Sequence, residues 1–174
     1  MNVLILYSST DGHTKDICEY ISKIIRSNNK IEILKIENKT EINFSIYDLI
    51  IIGASIRYGK HSDKLYRFIK INKEVLDKKQ GIFFSVNVVA RKPEKNTPNT
   101  NPYIKKFLKI SNWRPKKLAV FAGRVDYPNY NFFDKYIIKF IMFITNGPTD
   151  TSQSYEFTDW SKVDNFAKEI RENT

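Results

Sequence analysis

Val3-Leu4-Ile5-Leu6-Tyr7-Ser8-Ser9-Thr10-Asp11-Gly12-His13-Thr14 opens the chain and decides its architecture. The first five residues form an apolar run, and the next seven carry hydroxyls and one glycine. Ile17, Ile21, Ile24 and Ile25 then recur at helical spacing, which predicts a helix from His13 to about Ser27. Strand, hydroxyl-rich turn and helix make a ready anion site: the helix start presents unpaired backbone N–H groups and the positive end of its dipole. Ser9, Thr10 and Thr14 add hydroxyl donors, and Gly12 lets the backbone approach a ligand closely. The expected ligand therefore carries a phosphate.

Working outward, the runs Val3–Tyr7, Ile31–Ile36, Leu49–Gly53, Gly81–Val89 and Leu118–Gly123 read as five strands. Most are continuously apolar, as in a parallel sheet covered on both faces; the mixed Ile31–Ile36 run suits an edge. Leu65, Phe68, Ile69 and Leu76 predict a helix from about Ser62; Tyr103, Phe107, Leu108 and Ile110 predict another near Asn101-Pro102. Trp160, Val163, Phe166, Ala167 and Ile170 predict the last, capped by Thr158, Asp159 or Ser161. The link Glu37–Tyr47 is short and holds at most a turn of helix. The class is α/β, a doubly wound five-stranded parallel sheet in a single domain spanning residues 1–174.

Residues 124–157 do not fit a minimal five-strand plan and read as an insert before the last helix. Within it, 132–145 is unusually apolar, with Lys135 and Lys139 four residues apart. It is too short to span a bilayer, which takes about 20 residues. Two readings stand: an interfacial helix with its lysines at lipid headgroups, or a helix packed on the domain. The net charge is +10, and residues 91–139 carry 12 basic against 3 acidic side chains. Such a basic middle suits an anionic surface or a carboxylate-bearing ligand. The single cysteine, Cys18, excludes an internal disulfide, fits a reducing compartment and lies beside the apolar stripe, where burial is expected. The apolar start has no basic leader, so no signal peptide is expected. With two separated histidines and one cysteine, no metal site is expected. Helical spacing around Lys105, Lys106 and Lys109 argues against a nucleic-acid face.

The first loop lacks the dinucleotide fingerprint G-x-G-x-x-G and the P-loop pattern. Asp48 stands at the start of its strand, which disfavours a phospho-receiver. Hydroxyls without a lysine suit a mononucleotide. In an open sheet of this kind, ligands bind at the carboxyl ends of the strands near the switch point. That selects Gly53-Ala54-Ser55-Ile56-Arg57-Tyr58-Gly59 and Ser85-Val86-Asn87-Val88-Val89-Ala90-Arg91-Lys92-Pro93. Small residues there admit a backbone approach, and Tyr58 covers a flat ring. Three converging loops make an FMN site, with Ser9, Thr10, Asp11, Gly12, His13, Thr14, Ala54, Ser55, Ile56, Arg57, Tyr58, Gly59, Ser85, Val86, Asn87, Val88, Val89 and Gly123 as its candidates.

The Tyr7–Thr14 segment resembles the flavodoxin phosphate loop. The Gly53–Gly59 loop, the Ser85–Lys95 block and Thr158-Asp159-Trp160 resemble, more narrowly, the bacterial flavodoxin-type protoporphyrinogen IX dehydrogenases. The resemblance covers essentially the whole chain, insert included. It implies a flavodoxin-like fold, FMN as cofactor, oxidation of protoporphyrinogen IX to protoporphyrin IX late in haem synthesis, and a membrane quinone (menaquinone or ubiquinone) as acceptor. It also gives the insert a reason to make peripheral contact with an anionic membrane, on the cytoplasmic face of the bacterial inner membrane. Asp11 departs from the flavodoxin pattern, where a hydroxyl residue is usual, and is expected to contribute backbone only.

Arg57, Arg91, Lys92 and Arg124 follow strand ends and are candidates for the substrate propionates; their rival role is structural pairing. Tyr58, Tyr127 and Tyr130 are candidates for its ring face. His13 caps the loop or meets the phosphate, and His61 is expected on the surface at a helix start. No general base is apparent. The rival functions are an electron-transfer flavodoxin, an NAD(P)H:quinone reductase on the same fold, and a non-catalytic membrane or nucleic-acid binder.

Overall fold

Five strands line up in parallel in the order β2-β1-β3-β4-β5: β1 (Asn2–Ser8), β2 (Lys30–Lys35), β3 (Leu49–Ser55), β4 (Gln80–Val86) and β5 (Lys117–Phe121). The computed structural model describes residues 1–37 and 41–174. Strand alternation divides the core into two layers. Leu4, Leu6, Ile50, Ile52, Phe83 and Val120 face α2 (Asp63–Lys78) and α3 (Pro102–Ser111). Val3, Ile5, Ile51, Phe84 and Phe121 face α1 (His13–Ile25) and the C-terminal helix Trp160–Glu172. Covered on both sides, the central strands can be apolar throughout. The mixed strand β2 lies at an edge, as its pattern predicts. Gly53 is required where it stands: a Cβ there would lie 2.2 Å from the Phe84 ring.

Several element boundaries differ from the sequence reading. The fourth strand ends at Val86 rather than Val89, because the Asn87 side chain accepts from Ala90 N–H and starts a short 3₁₀ turn over Val88–Arg91. The fifth ends at Phe121, two residues before Gly123. The link after β2 holds one 3₁₀ turn, Phe44–Ile46, while residues 38–40 of that link lie outside the described residues. Asn101 caps α3 with Pro102 at its first position, and of the three proposed caps for the last helix Asp159 holds the place.

The insert is closed at its base by an antiparallel ribbon, β6 (Arg124–Asp126) against β7 (Ser154–Glu156); the last helix follows as α5. Between the two strands runs α4 (Phe132–Ile144), capped by Asn131. The insert has its own small core of Val125, Tyr127 and Met142, with Ile138, Tyr130, Tyr155 and Phe157 around it. α4 packs on the domain along one side only. A narrow stripe carrying Ile138, Ile141 and Met142 packs inward. The opposite face leaves Phe132, Phe133, Tyr136, Phe140, Phe143 and Ile144 exposed. No helix among the described residues is long and apolar enough to cross a membrane.

Candidate functional site

Register places the site. Tyr7 pairs with Gly53, Ser8 with Ala54 and Ser55 with Val86, so the loops after β1, β3 and β4 leave the sheet side by side. These loops surround β1 and β3, the point where the strand order reverses.

The first loop ends at Gly12, whose φ of 85° is left-handed and favours glycine. Gly12 N–H donates to Ser9 Oγ at 3.0 Å, and its carbonyl accepts from Lys15 N–H at 2.8 Å. Among the described residues, no protein group accepts from the backbone N–H of Thr10, Asp11, His13 or Thr14. Thr14 is buried, and its Oγ1 has no hydrogen-bond partner. A buried hydroxyl left unpaired destabilises a fold by about 1–3 kcal/mol. These groups line a small space of about 40 Å³ together with Ser55, Asn87, Gly123 and Arg124. Unpaired donors at a helix start fit a phosphate.

His13 does not point its ring at this space as a free cation. Thr158 Oγ1 donates to the Ala122 carbonyl at 2.9 Å, so it accepts from His13 Nε2–H at 2.6 Å. Burial lowers the His13 pKa, opposed by nearby Glu156. The histidine thus ties the start of α1 to the base of the insert.

A second space of about 100 Å³ adjoins the first. Ile56, Arg57, Tyr58 and Gly59 form one wall, and Asn87, Val88 and Val89 form the other. Ile138, Ile141 and Met142 of α4 roof it, and Tyr103, Arg124 and Tyr130 complete it. A flat ring between two loops, with its phosphate tail at α1, matches this layout. A third hollow of about 400 Å³ lies on the far side of the Arg57 loop, lined by Ser8, Lys35, Tyr58, His61 and Lys64. Arg57 lines all three spaces.

The candidate residues separate accordingly. Ser9, Thr10, Asp11, His13, Thr14, Ser55, Ile56, Val86, Asn87, Val88 and Gly123 line the phosphate-side space, and Tyr58, Gly59 and Val89 the ring-side space. Ala54 and Ser85 are fully buried in the sheet beneath and line neither. Arg57 and Arg124 reach the cleft; Arg91, Lys92 and Tyr127 do not line it. Arg91 donates to the carbonyls of Val88 at 3.0 Å and Thr145 at 2.7 Å, fastening the end of α4 to the loop after β4. Tyr127 is wholly buried and donates to the Pro148 carbonyl at 2.9 Å, which corrects its expected contact with a ligand ring. Burial pushes its pKa up to about 12. Asp11 contributes more than backbone: its carboxylate accepts from Arg57 Nη1 at 2.6 Å.

His61 corrects another expectation, since it is buried rather than at the surface. Rings of Phe83, Phe107 and Tyr66 surround it. Asn87 Oδ1 accepts from Ala90 N–H and Asn101 Nδ2, so Asn87 Nδ2 donates to Ser85 Oγ at 3.2 Å. Ser85 Oγ lies 3.1 Å from His61 Nε2, and His61 Nδ1 faces the Tyr66 hydroxyl at 3.5 Å. This neutral relay sets the loop that forms one wall of the cleft. No local pattern announces it, because its members lie on β4, α2, α3 and their loops.

Burial pushes the His61 pKa down to about 3. Between that value and the ordinary 6.5 the unfolded chain binds more protons, so stability falls as pH drops through this window. From pH 7.5 to 5 this group removes about 2 kcal/mol. Chemical denaturation at both pH values should show a drop smaller by that amount in His61→Leu; an equal drop would refute the assignment.

Residues 4–152 match the family model described as "Flavodoxin domain". Protoporphyrinogen IX dehydrogenase [quinone] of Escherichia coli (strain K12) is 42% identical over 171 residues, covering 98% of this chain and 94% of the relative. The chain belongs to the flavodoxin-type protoporphyrinogen IX dehydrogenase family. A family relative of the same name from Leishmania major is also 42% identical, over 96% of this chain and 73% of the relative. The flavodoxin fold itself is shared with oxidised Flavodoxin 1 from Bacillus cereus, with a TM-score of 0.58 at 17% identity over 100% of this chain and 99% of that one. For this family member the alignment with the Escherichia coli relative runs through the insert as well as the sheet.

Proposed function

We propose that this chain binds FMN and oxidises protoporphyrinogen IX to protoporphyrin IX, with a membrane quinone as electron acceptor. The observation that carries the reading is 42% identity over 98% of the chain to a relative named for that activity. The cleft supports it through chemistry of its own. The N–H groups of residues 10, 11, 13 and 14 and the buried Thr14 hydroxyl would hold the FMN phosphate. The Ile56–Gly59 and Asn87–Val89 walls would hold its ring. FMN supplies the redox chemistry, two electrons at a time, so the six-electron change takes three rounds. The chain supplies orientation and shielding: α4 covers the ring space from water, and Arg124, 4.0 Å from Asp16, offers a carboxylate-binding fork at the cleft edge.

The same reading includes peripheral contact with an anionic membrane, on its cytoplasmic side. Support comes from the exposed apolar face of α4, with Lys135 and Lys139 on its flank, in the most basic third of the chain. Both redox partners are lipid-soluble, and an interfacial α4 would set the cleft at their level.

Anaerobic mixing of FMN-loaded protein with protoporphyrinogen IX tests the central claim. The flavin absorbance should bleach as porphyrin fluorescence rises, and added quinone should restore the flavin band. An intact flavin spectrum throughout would refute it. Bleaching by NAD(P)H alone would instead favour a reductase.

A further inference from the structure

Asp134, at the first turn of α4, bonds to a loop 77 residues earlier in the chain. Its Oδ2 accepts from Arg57 Nη2 at 2.6 Å and from Asn131 Nδ2 at 3.0 Å. Its Oδ1 accepts from the Tyr58 hydroxyl. The Arg57 guanidinium lies between the rings of Tyr58 and Tyr130, at 5.2 and 4.9 Å from their centroids, and its Nη1 holds Asp11. One carboxylate therefore joins the wall of the ring space to the helix that roofs it. Tyr58 also sits at a φ of 50°, a left-handed backbone that its surroundings must maintain. Ile138, Ile141 and Met142 of the same helix close this space above the Ile56–Gly59 wall.

We propose that Asp134 is a positioning residue: it clamps Arg57 and Tyr58 beneath α4, so that the flavin enters and leaves only when the first turn of α4 lifts. The proposal rests on the reading of this space as the FMN ring site. It gives the insert a role in cofactor retention, separate from any contact its outer face makes.

Stopped-flow release of FMN from the loaded full-length protein tests it. Asp134→Ala should speed release about tenfold, the worth of about one charge-assisted hydrogen bond. Tyr58→Phe should speed it less, and the double variant no more than Asp134→Ala alone, since both remove the same contact. Asn131→Ala, which removes the α4 cap, should have a smaller effect than Asp134→Ala. Release at the wild-type rate, multiplicative effects, or equal acceleration by Asn131→Ala would each overturn the clamp. Hydrogen exchange on the ligand-free protein reads the same contact without FMN. Asp134→Ala should deprotect amides 57–60 while α5 stays unchanged, and unchanged protection at 57–60 would overturn it. If the wild-type protein takes up no FMN, the functional reading fails, and the exchange result alone decides whether the clamp exists.

Discussion

Replacing Phe133, Phe140 and Phe143 together by serine will weaken binding to anionic vesicles by about a hundredfold, with no loss of folding stability. The three rings are 76%, 63% and 71% exposed, on the face of α4 away from the insert core. Full burial of a phenylalanine is worth about 1.5–3 kcal/mol, so three rings half-buried in lipid supply about 3 kcal/mol, a factor of roughly a hundred. In water the same rings contribute little to the fold, because folding does not remove them from solvent. Stability should therefore hold, or improve through better solubility, while vesicle affinity falls. Raising the salt should weaken the residual binding, as lysines such as Lys135 and Lys139 act through screened charge. Co-sedimentation with vesicles containing anionic lipid measures this. Unchanged affinity in the triple variant would remove the membrane role of α4.

Thr14→Val should move two properties in opposite directions. In the ligand-free protein Thr14 Oγ1 is buried and unpartnered, so a methyl of similar size in its place should raise folding stability by about 1 kcal/mol. On the proposed reading, the hydroxyl gains an FMN phosphate oxygen as acceptor in the loaded protein. A hydrogen bond to a charged group is worth about 1.5–3 kcal/mol, so FMN affinity should fall by about tenfold to a hundredfold. Chemical denaturation without ligand and fluorescence titration with FMN give the two values. A merely structural Thr14 would shift stability and leave affinity alone. Unchanged FMN affinity would therefore refute its place at the phosphate.

Some of the site is legible in the sequence because its signals are local. The Ser8–Thr14 turn joins a strand to a helix within a few residues, so its N–H groups and hydroxyls can be read directly. The same holds for the loops after β3 and β4, whose position follows from strand ends. Arg91 and Tyr127 are less legible for the complementary reason. A cation after a strand looks available until the Thr145 carbonyl, 54 residues away, is found against it. Tyr127 looks like a ring contact until the insert core closes around it. His61, with a polar turn before α2, looked exposed, but Phe83 and Phe107 from other elements cover it.

The linear order of residues was enough to establish the five strands, their wound α/β arrangement, the hydroxyl-rich turn between β1 and α1 and an anomalous apolar helix in a basic third of the chain. Each depends on hydrophobic period, glycine placement or charge count over a short window. The tertiary arrangement settled which cations face the cleft, that α4 shows one face to the ring space and another to solvent, and that Asp134 meets Arg57 and Tyr58. Those facts depend on pairings between distant segments. Such pairings leave no periodic trace in sequence, because many residue types can meet them and only packing selects the partner.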